Sequence, residues 1–239
     1  MIATTDATVI ARRSLRDPRG ALLVARVERL RLTYLDIPAL LDLRDLAHEA
    51  DKAQRPGAFI EAGCALGGSA IVLAGSKNTG RPLFVYDVFG MIPPPSERDG
   101  RDVFERYEEI RTGRAKGIQN DGYYGYEAGL LSTVEENFRV LGLDPDATHV
   151  HLVQGLFEDT LHPSGPVALA HIDGDWYDSV AVCLQRIWPR MSPGGVVVID
   201  DYDDWSGCRR AVADFLSVTT DVHTESRQRL HLVKDGPRP

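Results

Sequence analysis

The sequence predicts an α/β fold: a mostly parallel, doubly wound sheet with helices on both faces and an N-terminal helical cap. Three observations lead to this class. From residue 56 onward, short apolar runs alternate with segments of helical periodicity, which is typical of parallel sheets. The first apolar run ends in glycines and several later runs end in aspartate, as expected where such a sheet presents a ligand site. A chain of 239 residues suffices for one such domain with a small appendage.

The N-terminal part of the chain is predicted to be helical. Residues 1–16 are expected to be loosely ordered, and helices are predicted over 18–32 and 37–53, where apolar residues recur at helical spacing. We interpret residues 1–55 as a helical cap segment and residues 56–239 as the main domain.

The main domain is predicted to contain six strands with helices between them. The predicted strands are 58–63, 83–87, 149–153, 168–173, 195–200 and 229–233. The predicted helices are 67–76, 132–141, 177–190 and 206–217. Residues 92–129 interrupt this alternation with three consecutive prolines and four of the chain's eight tyrosines. An insertion of this length predicts a functional lid or binding loop.

Composition and charge exclude several classes of protein. With 27 basic and 35 acidic residues, the formal net charge of −8 argues against a general nucleic-acid binder. The longest uncharged run, 62–76, is too short for a membrane span. Three scattered cysteines favour a reducing compartment, and the N-terminus lacks the pattern of a secretory signal. We therefore expect a cytoplasmic enzyme without a nucleic-acid or membrane partner.

The turn after the first predicted strand indicates a nucleoside-cofactor site. Its sequence is Glu61-Ala-Gly63-Cys-Ala-Leu-Gly67-Gly68-Ser69, and the next strand ends in Asp87, an acid suited to ribose hydroxyls. The glycines do not follow the NAD fingerprint, which needs glycine where Ala65 stands. Glu61 would repel a pyrophosphate and favours a cationic ligand such as S-adenosylmethionine (SAM). The alternative is a glycine turn that only permits tight packing.

The segment after the third predicted strand extends this cofactor site. Phe157 is a candidate to stack on adenine, and the neighbouring acid Glu158 can accept a hydrogen bond from the adenine amino group. The alternative interpretation makes Phe157 a core residue and leaves the acid solvated at a helix start. Ala62, Phe89 and Gly155, which lie at the same strand ends, complete the cofactor candidates.

Acids at the ends of the fourth and fifth strands predict a metal site. Neighbouring strand ends would bring Asp173, Asp200 and Asp201 close together, and unpaired carboxylates at that spacing repel one another. A divalent cation relieves this repulsion, and a set of oxygen ligands favours Mg²⁺. The alternative is a group of solvated loop acids and helix caps.

Five sequence blocks, in order, resemble the macrocin, mycinamicin and novobiocin sugar O-methyltransferases of antibiotic biosynthesis. The blocks are Phe59–Gly63 with Gly67–Ser69, Asp87–Met91, Gly155–Leu161, Asp173–Ser179 and Ser192–Tyr202. The resemblance extends over about residues 56–217. It implies a class I, Rossmann-like methyltransferase that uses SAM and Mg²⁺ to methylate a hydroxyl, commonly on a deoxysugar of a natural product.

Residue roles follow from the resemblance position by position. It implies that Asp173, Asp200 and Asp201 are metal ligands and that Asp175 is the general base. In metal-dependent catechol methyltransferases a lysine stands where this chain has Trp176, so a catechol-type site is not expected. The resemblance also implies that Glu61, Gly63, Ser69 and Asp87 bind SAM.

Other functions remain open at this level. The acceptor could be a phenolic or polyketide hydroxyl rather than a sugar, and the same sheet could serve an NAD-dependent oxidoreductase. A non-catalytic SAM-binding partner subunit is a further alternative. We expect a small-molecule acceptor and a homo-oligomer, because the N-terminal helices offer a packing surface.

Overall fold

A seven-stranded sheet forms the centre of the computed structural model, which describes residues 17–118 and 121–236. The strands are β1 (Ala58–Ala62), β2 (Leu83–Asp87), β3 (Val150–Gln154), β4 (Val167–Ile172), β5 (Met191–Ile199), β6 (Val222–Ser226) and β7 (Leu230–Lys234). They are arranged in the order β3-β2-β1-β4-β5-β7-β6. The first five strands are parallel, and β7 is antiparallel to both of its neighbours. The predicted doubly wound, Rossmann-like sheet is confirmed.

Eight α-helices are described. They are α1 (Pro18–Arg29), α2 (Ile37–Lys52), α3 (Gly68–Ser76), α4 (Arg101–Arg111), α5 (Leu130–Val140), α6 (Phe157–Thr160), α7 (Tyr177–Ile187) and α8 (Ser206–Val218). The six predicted helices are present with small shifts at their ends. Strand β6 and helices α4 and α6 were not predicted. Strand β6 is a polar edge strand, α4 buries only Val103 and Ile110, and α6 has four residues, none of them buried.

The sheet separates two apolar cores. Helices α1, α2, α3 and α5 contribute to the core on one face, and α7 and α8 contribute to the core on the other. Leu40 and Leu43 of α2 share the first core with Phe59 and Leu83 of the sheet, so packing is continuous across the predicted boundary at residue 55. The predicted loose order of residues 1–16 lies outside the described residues.

Side chains at the start of each N-terminal helix fix where it begins. Asp17 accepts a hydrogen bond from Gly20 N at 3.0 Å, and Asp36 accepts one from Ala39 N at 2.9 Å. Each helix also has proline in its first turn, where the missing N–H costs nothing. These caps place the loop between α1 and α2 over the carboxyl end of the sheet, where Gly68 N donates to Leu32 O at 3.0 Å.

The insertion after β2 is bonded to the starts of α7 and α8. Trp176 Nε1 donates to Pro93 O at 2.9 Å, and Asp99 accepts from Tyr177 N at 2.7 Å. Asp102, in the first turn of α4, accepts from Ser206 N at 2.8 Å. The first half of the insertion is therefore held over the carboxyl ends of β4 and β5. Within the described residues, no helix is both long and apolar enough to cross a membrane.

Candidate active site

The loop after β1 touches the loop after β4. Gly63 has φ +87°, and a Cβ built on it would lie 1.8 Å from the carbonyl oxygen of Asp173. Only glycine combines this backbone conformation with so close an approach. The predicted glycine turn therefore fixes one wall of a cavity and sets its distance from the acids that follow β4.

Asp87 joins the loops after β1 and β2. Its carboxylate accepts hydrogen bonds from Cys64 N at 2.8 Å and from Phe89 N at 2.7 Å. Burial raises the pKa of this carboxyl, while the two backbone donors act in the opposite direction. A carboxylate has about four lone-pair sites, so Asp87 can accept further hydrogen bonds from a ligand.

A cavity enclosed by the strand ends brings part of the predicted cofactor set together. Of that set, Gly63, Asp87, Phe157 and Glu158 line the cavity. Glu61, Ala62, Ser69, Phe89 and Gly155 do not line it. Asp173 and Asp175 form its opposite side. Contact of either group of candidates with SAM remains a prediction.

Glu61 is fully buried beneath the loop and belongs to a polar network. Its Oε1 accepts from Ser69 Oγ and lies 3.1 Å from His171 Nδ1, while Oε2 has no hydrogen-bond partner among the described residues. The pair follows from the sheet register, because Glu61 of β1 is directly opposite His171 of β4. Burial lowers the pKa of His171, but Glu61 and Asp200 outweigh it and raise the value to about 10. His171 thus lies between Glu61 of β1 and Asp200 after β5, with its Nε2 3.8 Å from Asp200 Oδ1.

Three predicted metal ligands do lie together; we call Asp173, Asp200 and Asp201 the acid triad. One carboxylate oxygen from each residue lies within 4.8 Å of those of the other two. Arg229 Nε donates to Asp200 Oδ1 at 2.6 Å, and Asp201 Oδ2 accepts from Asp175 N at 2.9 Å. The parallel strands β4 and β5 end side by side, which produces this arrangement.

The acid triad is short of positive charge. Burial and the neighbouring carboxylates raise the pKa values of Asp173 and Asp201 well above their ordinary range. Burial also acts to raise the pKa of Asp200, but His171 and Arg229 lower it overall. Within the described residues, Asp173 and Asp201 form no ion pair with a cationic side chain, as expected of groups that bind a cation.

Asp175 lies between two cavities. It adopts φ +53°, one of six positive φ values at described non-glycine residues, and Ala65 and Phe89 of the same site are two of the others. Backbone strain of this kind concentrates at functional sites. Burial is the main reason that the pKa of Asp175 rises to about 6. At neutral pH the carboxylate is ionised, with a basicity suited to proton transfer.

The second cavity, which we call the acceptor cavity, opens above the acid triad with a volume of about 440 Å³. Lining residues that were not predicted are Tyr34, Arg106, Trp205 and Arg229. Tyr34 comes from the loop between α1 and α2, Arg106 from α4, and Arg229 from the turn before β7. No local pattern marks these four residues in the sequence, since each reaches the site through tertiary packing.

The two cavities share one boundary. Asp173, Asp175, Tyr123 and Tyr124 line both of them. The rings of Tyr123 and Tyr124 lie 4.7 Å apart, and Tyr124 is 6.2 Å from Tyr34. The arrangement can hold two ligands with their reacting groups next to Asp175 and the acid triad.

Comparisons with known proteins agree with this geometry. A family model described as macrocin-O-methyltransferase (TylF) matches residues 29–225. A tetracenomycin enzyme of Streptomyces olivaceus, 8-demethyl-8-(2,3-dimethoxy-alpha-L-rhamnosyl)-tetracenomycin-C 4'-O-methyltransferase, is 36% identical over 67% of this chain and 58% of its own length. Mycinamicin III 3''-O-methyltransferase of Micromonospora griseorubida is 31% identical over 72% of this chain and 66% of its own length. The matches thus span less than two thirds of these two relatives.

Solved structures also match. The structure of the O-methyltransferase NovP is similar with a TM-score of 0.70 and 25% sequence identity, over 86% of this chain and 83% of that chain. The calicheamicin methyltransferase CalS11 gives a TM-score of 0.61 at 18% identity, over 91% of this chain and 93% of that chain, and this likeness concerns the fold alone.

Proposed function

The chain belongs to the macrocin-O-methyltransferase (TylF) family, and on this premise we propose that it transfers a methyl group from SAM to a hydroxyl of a small natural product. We further propose a sugar hydroxyl as the acceptor and Mg²⁺ as the metal. One observation carries the proposal: the cavity with the predicted SAM residues and the acceptor cavity meet at Asp173 and Asp175. The relatives named for a rhamnosyl tetracenomycin and for mycinamicin III support a glycosylated acceptor.

The acid triad fits a hard divalent cation. All three donors are carboxylates, and one oxygen of each lies within 4.8 Å of those of the other two. In the part of the chain that the structure describes, two of the three have no cationic partner. Asp173, Asp200 and Asp201 would hold the ion. When bound, Mg²⁺ would lower the pKa of an acceptor hydroxyl and orient its oxygen.

Asp175 is the proposed general base. Its carboxylate borders both cavities, and its backbone N–H donates to Asp201, which fixes the loop relative to the acid triad. A carboxylate oxygen of Asp175 would accept the hydroxyl proton as the acceptor oxygen attacks the methyl carbon of SAM. The bond between that carbon and the sulfonium sulfur would break at the same time, with S-adenosylhomocysteine as the leaving group. Positioning two substrates in this way can account for roughly 7–11 kcal/mol of the barrier.

The predicted SAM residues have two different roles in the proposal. Gly63, Asp87, Phe157 and Glu158 line the first cavity and would contact the nucleoside. Glu61 and Ser69 would act from outside the cavity, because their hydrogen bond stabilises the loop that begins at Gly63. The remaining candidates, Ala62, Phe89 and Gly155, would shape the backbone of the three loops.

A methyl-transfer assay with radiolabelled SAM tests the function. The acceptors are a panel of methyl glycosides and a panel of phenols, each assayed with Mg²⁺ and with EDTA. We expect transfer to glycosides that EDTA abolishes and added Mg²⁺ restores. Undiminished transfer in EDTA would contradict the metal role, and transfer to phenols alone would contradict the sugar assignment. Stabilisation by NAD rather than SAM in a thermal shift would favour the oxidoreductase alternative.

A further inference from the structure

The insertion at residues 92–129 carries a second concave surface beside the acceptor cavity. A cavity of about 530 Å³ is lined by Arg106, Glu109, Arg114 and Lys116. Arg106 also lines the acceptor cavity, so the two spaces are adjacent. We call the three cations Arg106, Arg114 and Lys116 the basic rim. Its charge is opposite to that of the acid triad, which lines the adjacent acceptor cavity.

The basic rim is only partly neutralised by its surroundings. Arg106 pairs with Glu109 at 3.1 Å, but within residues 17–118 and 121–236 neither Arg114 nor Lys116 forms an ion pair. Other arginines of α4 do form ion pairs: Arg101 pairs with Glu105 and Arg111 with Glu108, each at 2.6 Å. The cavity therefore has three cations and one acid, an arrangement that favours an anionic ligand.

The backbone holds the basic rim in place. Ala115, between two of the cations, is buried, and its N–H donates to Glu109 O at 3.1 Å. Tyr126 Oη donates to Ile110 O at 2.6 Å and closes the same turn. Lys116 forms an isolated antiparallel bridge with Gly122. The rim residues are thus part of a hydrogen-bonded segment of the insertion, next to the acceptor cavity that Arg106 also lines.

We propose that the acceptor is a nucleoside-diphosphate sugar, with its sugar over the acid triad and its diphosphate on the basic rim; this inference rests on the proposed function. Guanidinium and ammonium groups are the side chains that recognise phosphate. The opposite orientation would bring phosphates against the carboxylates of the acid triad. Charge therefore selects one orientation, which delivers a sugar hydroxyl to Asp175. A neutral glycoside would leave the rim cations without a partner.

Binding tests the phosphate site separately from methyl transfer. The probe is dTDP, titrated calorimetrically into the protein with S-adenosylhomocysteine present. The variant R114Q/K116Q removes two rim charges, and the control R101Q/R111Q removes two charges from α4, at positions that line neither cavity. We expect Kd for dTDP to rise about tenfold in the rim variant, as for loss of a hydrogen bond to a charged group, and to stay within about twofold in the control.

Turnover tests the orientation of the acceptor. With dTDP-L-rhamnose we expect the KM of R114Q/K116Q to rise about tenfold at similar kcat, because binding but not chemistry is weakened. With methyl α-L-rhamnoside, both variants should match the unmodified protein. Equal effects of the two variants on dTDP, or equal use of both sugars by the unmodified protein, would overturn the inference and leave the proposed function standing. Rim-dependent dTDP binding without transfer to any sugar would instead support the phosphate site and contradict the proposed activity.

Discussion

The acid triad and the basic rim line two adjacent cavities that share Arg106, but they are built in different ways. The acid triad lies at the ends of buried parallel strands, and its residues are mostly buried. The basic rim lies in an insertion between β2 and α5, where Arg114 and Lys116 are exposed. In the proposed function the sheet would set where the chemistry occurs, and the insertion would set which acceptors bind.

The strongest test of this contrast removes one acid of the triad. We expect Asp200→Asn to lower kcat about 1,000-fold or more, since a catalytic metal supplies several kcal/mol of charge stabilisation. SAM binding, measured by calorimetry, should change little. The matched control is Asp203→Asn, an exposed acid of the same loop, which should retain activity. Comparable turnover in the two variants would remove the acid triad from the mechanism.

The general base comes next in expected effect. Asp175→Asn keeps the size of the side chain but cannot accept the proton, so we expect kcat to fall about 100-fold. Binding of Mn²⁺, followed by electron paramagnetic resonance, should persist because the acid triad is intact. Loss of metal binding together with activity would assign Asp175 to the metal site instead.

Ionic strength should affect the basic rim more strongly than the acid triad. Exposed charges are screened within about 8–10 Å at ordinary ionic strength, whereas buried ones are screened much less. Between 50 and 300 mM NaCl we expect KM for dTDP-L-rhamnose to rise about threefold, at nearly constant kcat. The KM for methyl α-L-rhamnoside serves as the internal control. An equal response of both acceptors would contradict a role for the rim in binding.

The smallest expected effect concerns Asp102, whose hydrogen bonds fix the position of the insertion relative to α8. Asp102 accepts hydrogen bonds from both the N–H and the hydroxyl of Ser206, which join α4 to α8. We expect Asp102→Ala to reduce stability by about 1–2 kcal/mol, the usual result of losing such a pair of bonds. The acceptor KM should rise severalfold while Kd for SAM stays the same. Glu105→Ala on the exposed side of α4 is the control, and denaturant titration measures the stability.

The sequence predicted the triad better than the insertion, for a physical reason. Strand direction and order bring Asp173, Asp200 and Asp201 together, and both could be inferred from apolar runs that end in acid. The family resemblance is confirmed by the matching family model. The Mg²⁺ site, the SAM contacts and the homo-oligomer remain predictions.

Residues that reach the site from distant loops could not be predicted. Tyr34 enters from the N-terminal helices and Arg229 from the turn before β7, and neither position has a local signal. Glu61 shows a related difficulty. Its strand-end position predicts a cofactor contact, which stays a prediction. The sequence did not predict that its register opposite His171 places the carboxylate in a buried polar network. Such pairings depend on the neighbouring strand, which a single segment of sequence does not reveal.

The bare backbone of Gly63 has an evolutionary consequence. Because the carbonyl of Asp173 occupies the space that a side chain would need, the loop that shapes the first cavity and the loop that begins the acid triad are in direct contact. A mutation at this position would disturb both loops at once, so neither can be remodelled independently. Sequence changes that alter the choice of acceptor are then expected to accumulate in the insertion at residues 92–129, as added residues and surface charges. The two loops are expected to change together or not at all.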